Sequence, residues 1–275
     1  MNNHKSKIFV TLVLGVLLLT TGATLNPKPT YVEIITRFGV MKVKLYDETP
    51  LHRDNFLKLV KAGYYDSLTF FQIFPDYTIQ SGDPKSRYAT EDSLIGDGGP
   101  TYKIPAEFRP NLIHKYGALA AARDINPDFS SHGSQFYIVK GKKFTVEELQ
   151  KVEGLRNQII RSNIFYQITK ADSTQARIKD FSLRGDKEGL RAYTKTFQAA
   201  TDSAFAQRGP YQLNIDQIRA YTSIGGLPQL DSGYTVFGEV VKGLNIIDSI
   251  CAQPRAKNNR PLKDIRIKIR VVPTK

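Results

Sequence analysis

Side chains able to do covalent or metal chemistry are few and scattered in this chain of 275 residues. Cys251 is the sole cysteine, and the four histidines, His4, His52, His114 and His132, form no zinc or iron signature. One cysteine also rules out an intrachain disulfide. Gly96-Asp97-Gly98-Gly99 resembles a phosphate loop at first sight. It lacks a following Lys-Ser/Thr and no long helix opens after it, so it is read as a structural turn. No metal and no cofactor are expected. The remaining polar and aromatic residues of interest sit inside short apolar runs, and taken singly they read as ordinary core.

Composition narrows the class further. With 41% apolar and 24% charged residues, the chain reads as an ordinary globular protein able to bury a core without disulfides. The formal net charge is +13, yet basic residues are spread through every segment and interleaved with acids. No Lys/Arg-rich run with aromatic interleaving stands out, so a solvated basic surface is expected and no nucleic-acid partner. The N-terminus carries an address. His4, Lys5 and Lys7 precede an apolar stretch from Ile8 to Leu19, and Thr20-Thr21-Gly22-Ala23 follows. That order describes a secretory signal over residues 1–23, cut after Ala23. The rival reading is an uncleaved membrane tether, since Ile8 to Leu25 nearly reaches the ~20 residues of a spanning helix. Both readings export the protein to the periplasm or another extracytoplasmic space.

Residues 24–30, with Asn26-Pro27-Lys28-Pro29, read as a linker. Val32 to Thr36 and Met41 to Leu45 alternate with period two around Phe38-Gly39 and predict a β-hairpin. Thr49-Pro50 opens a helix, with Thr49 as N-cap and Phe56, Leu59 and Val60 facing inward. Short apolar runs follow at Leu68 to Phe74, Tyr77 to Gln80, Gly117 to Ala122 and Phe136 to Val139. A second cluster places a strand at Tyr234 to Val240, a helix at Leu244 to Cys251 and an alternating strand at Ile265 to Val271. Between them, residues 141–226 turn helical, in about four segments. Thr145 with Glu148 predicts a capping box, Asn214 with Gln217 a weaker one, and Leu190, Tyr193, Phe197 and Ala204 form one stripe. The chain is thus expected to be mainly β: a closed barrel over 31–272 capped by two helices and interrupted by a helical insertion.

Three stretches carry a family resemblance. Phe70-Phe71-Gln72-Ile73-Phe74-Pro75-Asp76-Tyr77-Thr78-Ile79-Gln80-Ser81-Gly82-Asp83-Pro84 resembles the FHRVIPGFMIQGGDP strand pair of cyclophilins. Gly117 to Arg123 with Gly133-Ser134-Gln135-Phe136-Tyr137-Ile138 resembles GxLSMAN…GSQFFI, and Leu230 to Gly238 resembles LDGxxTVFG. The resemblance covers about residues 31–140 and 227–272. It implies an eight-stranded antiparallel barrel closed by two helices, and peptidyl-prolyl cis-trans isomerase activity on unfolded or loop Xaa-Pro segments.

That reaction asks for neither nucleophile nor metal. Peptide rotation faces a barrier of about 18–20 kcal/mol, and uncatalysed prolyl exchange takes tens to hundreds of seconds. A catalyst must grip the prolyl ring and bind the twisted bond better than the planar one. Carried over by position, the ring pocket is Tyr77, Thr78, Tyr137 and Leu230, with Phe74 beside it and Tyr234 at the mouth. Gln80, Gln135 and the main chain of Ala122 and Arg123 are expected to hold substrate backbone, and the glycine loop at 96–99 to line the groove. As an ordered set these residues read as a site.

Three positions depart from the family. The catalytic arginine is Gln72, the histidine before it is Phe71, and the pocket methionine is Thr78. Glutamine donates without charge, a difference of roughly 1–2 kcal/mol against a charge-assisted bond and on the order of tenfold in rate. Arg123 is expected to face solvent, the alternative being that it supplies the missing cation. Two functions stay open: a slowed isomerase for exported proteins, and a proline-chain binding module or chaperone with little turnover. The insertion is expected to be a recognition element for a protein partner, dispensable for the barrel if Lys142 to Ile224 were replaced by a linker.

Overall fold

A computed structural model describes residues 29–90 and 93–273. The signal or tether assigned to 1–23, and residues 24–28 of the linker, lie outside the described residues. Among the described residues no helix is long and apolar enough to cross a membrane.

The first hairpin forms as its alternation predicts. Strand β1 (Thr30–Thr36) pairs with β2 (Gly39–Leu45), with Thr36 opposite Gly39 at the turn. Val32, Ile34, Met41 and Val43 are fully buried on one face. Helix α1 (Pro50–Lys61) follows and packs Phe56, Leu59 and Val60 into the same core. Its cap differs from expectation. Thr49 occupies the N-cap position but its side chain makes no capping bond. The carboxylate of Glu107 accepts the Leu51 and His52 amides instead, at 3.1 and 3.0 Å. A buried anion at a helix N-terminus satisfies orphan donors and meets the helix dipole favourably.

The next strands are short: β3 (Gln72–Ile73), β4 (Thr78–Ser81), β5 (Lys103–Ile104), β6 (Ala118–Ala121), β7 (Ser131–His132) and β8 (Phe136–Val139). The helices of the insertion come next: α2 (Val146–Thr169), α3 (Asp172–Leu183), α4 (Lys187–Lys195), α5 (Gln198–Arg208) and α6 (Ile215–Ser223). Strand β9 (Val236–Lys242), helix α7 (Leu244–Cys251) and strand β10 (Lys268–Val271) close the chain.

Eight strands form one antiparallel sheet in the order β10-β1-β2-β9-β6-β8-β4-β3, and β5 and β7 pair separately. The sheet is a curled half-barrel, open between β3 and β10. This corrects the closed barrel expected above. Both runs that predicted longer edge strands, Leu68 to Phe74 and Ile265 to Val271, pair only in part. Ser67 takes a left-handed φ of 65°, and Pro254 and Pro261 precede the last strand. The edges therefore meet through single backbone bonds, such as Phe70 N to Ile265 O at 3.0 Å, and one bridge at Thr69 and Arg266. One core fills the curl, with Phe56, Tyr65, Phe70, Phe136 and Phe237 among its large side chains.

The insertion holds both predicted capping boxes, at Thr145 and Asn214. Its helices number five rather than about four, because the Leu190-to-Ala204 stripe breaks into α4 and α5. Thr194 and Thr196 turn their hydroxyls back onto the Leu190 and Tyr193 carbonyls there, competing with helix continuation. The two ends of the insertion meet, with Gly226 N donating to Lys142 O at 2.9 Å. Yet α6 is not a peripheral element. Tyr221 is fully buried, and packs with Leu149, Leu213, Phe144 and Ile113 against the barrel wall.

Candidate active site

Strands β4, β6 and β8 stand side by side with the loop before β9, and together they hold a cavity of about 150 Å³. Phe74, Tyr77, Thr78, Gln80, Ala122, Arg123, Tyr137, Leu230 and Tyr234 line it. Every residue carried over from the resemblance is thus brought to this cavity, apart from Gln72, Gln135 and the glycine loop at 96–99. Tyr137 forms the floor at 5% exposure, and Thr78 is a buried wall. Tyr234 stands on edge to Tyr137, with ring centroids 5.9 Å apart, and Phe74 on edge to Tyr77 at 6.1 Å. Burial raises the pKa of Tyr77 and Tyr137, so both hydroxyls are neutral. A larger open hollow of about 570 Å³ beside Arg260 and Leu262 holds none of these residues.

Gln80 is held from behind. Its Nε2 donates to Gln135 Oε1 at 3.1 Å, and Gln135 in turn donates from Nε2 to the Gly96 and Gly98 carbonyls at 3.0 and 2.8 Å. Gln135 therefore does not present its amide to the cavity as expected. It is buried at 2%, with both N–H groups spent on the glycine loop, and acts on the site through Gln80. The loop itself is pinned by Asp83, whose Oδ2 accepts the Gly98 amide at 3.0 Å. A Cβ on Gly98 would stand 2.1 Å from the Asp83 carboxylate, so the close approach requires glycine there. Gln72 lies directly opposite Gln80 across β3 and β4, so both side chains emerge on one face of the sheet. Gln72 is half-buried, and its side chain makes no hydrogen bond among the described residues.

Arg123 is half-buried, with its guanidinium held against the protein rather than extended into solvent. Its Nε donates to the Gly233 carbonyl at 2.6 Å and its Nη1 to the Asp124 carbonyl at 3.0 Å. The guanidinium lies 4.7 Å from the Tyr234 ring centroid and 4.8 Å from that of Phe129. Two aromatic faces and two carbonyls fix a planar cation at the cavity wall. The Ala122 main chain is engaged within the protein, its amide on Gln135 O at 3.0 Å and its carbonyl on the His132 amide at 2.8 Å. That leaves the main chain of Arg123 as the nearer candidate for pairing with a substrate.

The family described as "Cyclophilin type peptidyl-prolyl cis-trans isomerase/CLD" matches residues 31–191 and 204–271. The chain belongs to this family. Cyclophilins of this type are peptidyl-prolyl isomerases. A Staphylococcus aureus (strain COL) protein named "Putative peptidyl-prolyl cis-trans isomerase" is 26% identical over 233 residues, covering 84% of this chain and 86% of its own length. A protein of the same name from Staphylococcus haemolyticus is 25% identical over 233 residues, covering 84% and 85%. The crystal structure of a Cryptosporidium parvum cyclophilin type peptidyl-prolyl cis-trans isomerase shares the fold at a TM-score of 0.53 and 20% identity. It covers 90% of this chain and 99% of that one. The same protein in the presence of the dipeptide ala-pro gives a TM-score of 0.52 at 20% identity, covering 89% and 99%.

Some of the cyclophilin site was missed in the sequence. His114, read there as an isolated histidine, lies beneath the floor with Nε2 3.0 Å from the Tyr137 hydroxyl, and its Nδ1 meets Asp231 at 2.9 Å. No local pattern joins residues 114, 137 and 231. The only cue was Asp231 itself, next to Leu230 in the third family-like stretch.

Proposed function

We propose that this cyclophilin isomerises Xaa-Pro bonds in polypeptides outside the cytoplasm, with turnover slowed by Gln72. The observation that carries the reading is the 150 Å³ cavity, walled mostly by aromatic and aliphatic groups, with Arg123 and Gln80 among its polar lining. A cavity of about that volume accommodates a benzene-sized ring, and a prolyl ring is no larger. With the ring seated on Tyr137, Gln80 keeps one N–H for a substrate carbonyl, since its other is given to Gln135. On this reading Gln72, paired opposite Gln80, donates its amide toward the pyramidalising prolyl nitrogen. A donor aimed at a group that accepts better when twisted stabilises the transition state over the ground state. The Ala-Pro dipeptide used with the Cryptosporidium parvum relative supports Xaa-Pro segments as the ligand class.

A second reading is favoured by Gln72 and Thr78, which weaken catalysis without closing the cavity. On that reading the chain holds proline-containing segments as a binding module or chaperone with little turnover. An isomerisation assay free of coupling protease, run beside a binding titration with an Ala-Pro peptide, separates the two. Accelerated exchange supports the enzyme; saturable binding with uncatalysed exchange supports the module.

Export rests on the order of charged, apolar and small residues over 1–23, and an intact mass lacking Met1 to Ala23 from the native envelope would support cleavage. Recovery of the full-length chain in a membrane fraction would support the tether. For large clients, the outer helices of the insertion are the recognition surface. Leu155, Ile159 and Tyr166 are exposed on α2 and offer apolar contact there.

A further inference from the structure

Asp231 follows directly on Leu230, a lining residue of the cavity, and its buried carboxylate is engaged on both oxygens. Oδ1 accepts the His114 amide and meets His114 Nδ1, both at 2.9 Å. Oδ2 accepts the Tyr221 hydroxyl at 2.6 Å and Gln217 Nε2 at 3.4 Å. Asp231 Oδ1 faces one ring nitrogen, and the other, Nε2, lies within hydrogen-bonding distance of the Tyr137 hydroxyl at 3.0 Å. The floor of the prolyl pocket is therefore tied, through one histidine and one aspartate, to two side chains of helix α6. Helix α2 adds a second tie to the same loop, with Arg156 Nη1 donating to the Pro228 carbonyl at 3.4 Å.

We propose that Tyr221, Asp231 and His114 are positioning residues for Tyr137, so that helix α6 of the insertion sets how firmly the pocket holds its ring. The proposal rests on the isomerase reading above. Its physical basis is the hydroxyl on the floor. The family-like motif carries phenylalanine at this place, and a phenyl ring is located by packing alone. A buried hydroxyl must keep its partner, so the far end of the Tyr137 ring is fixed at His114. Tyr234, on edge to both rings, is seated against that arrangement. On this proposal α6 belongs to the site, against the dispensability expected of the whole insertion.

The test is a double-mutant cycle in the full chain with Tyr221→Phe, Tyr137→Phe and both. Kinetics on an Ala-Pro peptide, the peptide's Kd and the melting temperature are measured for each. Tyr221→Phe alone should lower kcat/KM and weaken the peptide's Kd by about two- to tenfold, the range for one neutral hydrogen bond. In the Tyr137→Phe background the same substitution should lower only the melting temperature, because the link to the floor is already cut. If Tyr221→Phe fails to fold, Gln217→Leu interrogates the same carboxylate oxygen. Equal kinetic and Kd effects in both backgrounds, or an effect on melting temperature alone in each, would overturn the proposal. Absence of wild-type turnover would refute the isomerase reading, and the positioning claim would still be decided by Kd.

Discussion

Replacing Gln72 with arginine tests the cost assigned to the missing charge. Gln72 is half-buried, has no side-chain partner among the described residues, and stands opposite Gln80 at the cavity rim. A longer side chain there displaces no side-chain hydrogen bond among the described residues. A charge-assisted bond contributes about 1.5–3 kcal/mol and a neutral one about 0.5–1.5, a difference of about 1–2 kcal/mol. At 1.36 kcal/mol per tenfold, Gln72→Arg should raise kcat/KM by roughly five- to thirtyfold. The gain should fall on kcat, because the new bond strengthens as the prolyl nitrogen twists. The assay is protease-free isomerisation of an Ala-Pro peptide, with the melting temperature as control. An unchanged rate in a folded variant whose wild type already turns over rapidly would refute the reasoning. It would mean that the positive charge is supplied from elsewhere or is not needed.

Arg123, fixed at the cavity wall, is the candidate for that other source. Arg123→Met should lower kcat/KM by about tenfold in the natural background, and Gln72→Arg should recover part of the loss; equal losses in both backgrounds would separate the two side chains. Acidification should destabilise the fold through His52. Burial lowers its pKa against the opposing pull of Glu107, so the folded state holds the neutral ring. The unfolded chain binds the extra proton first, so this stabilisation is complete above about pH 6.5 and lost as pH falls through the depressed folded value. Urea midpoints should therefore drop between pH 7.5 and 5.5 more steeply in the natural protein than in His52→Asn. Finally, α3 and α4 bury no residue, and Phe165 and Phe197 bring the flanking ends within 6.4 Å between ring centroids. Replacing residues 171–196 with a short Gly/Ser linker should leave the melting temperature within about 5 °C, whereas removing 142–224 should unfold the chain.

Short-range patterns in the sequence were read well where neighbours in the chain are also neighbours in space. The β1–β2 hairpin, the 244–251 helix and both capping boxes depend on residues within a few positions of one another. The cavity residues were legible because the three family-like stretches carry them in order. Long-range partners were not legible. Glu107 caps α1 from more than fifty positions away, while Thr49, with the right residue type for a cap, leaves its hydroxyl 3.5 Å from the Tyr46 carbonyl. The family resemblance implies that Gln135 holds substrate backbone, but the carbonyls of the glycine loop take both its N–H groups. Arg123 was assigned to solvent on the ordinary habit of arginine, and only the fold brings Phe129 and Tyr234 to its two sides. The open seam arose likewise, since an alternating run signals a strand and does not reveal whether its partner is straight enough to pair.

Turnover at this cavity can be measured by magnetisation-exchange NMR on an Ala-Pro peptide. Catalytic amounts of protein are added to excess peptide, and cis–trans exchange is read from the prolyl signals. Exchange should be faster than the uncatalysed tens to hundreds of seconds, scale with enzyme and be lost in Gln80→Ala. Peptide signals that shift on binding while exchange stays at the uncatalysed rate would contradict it.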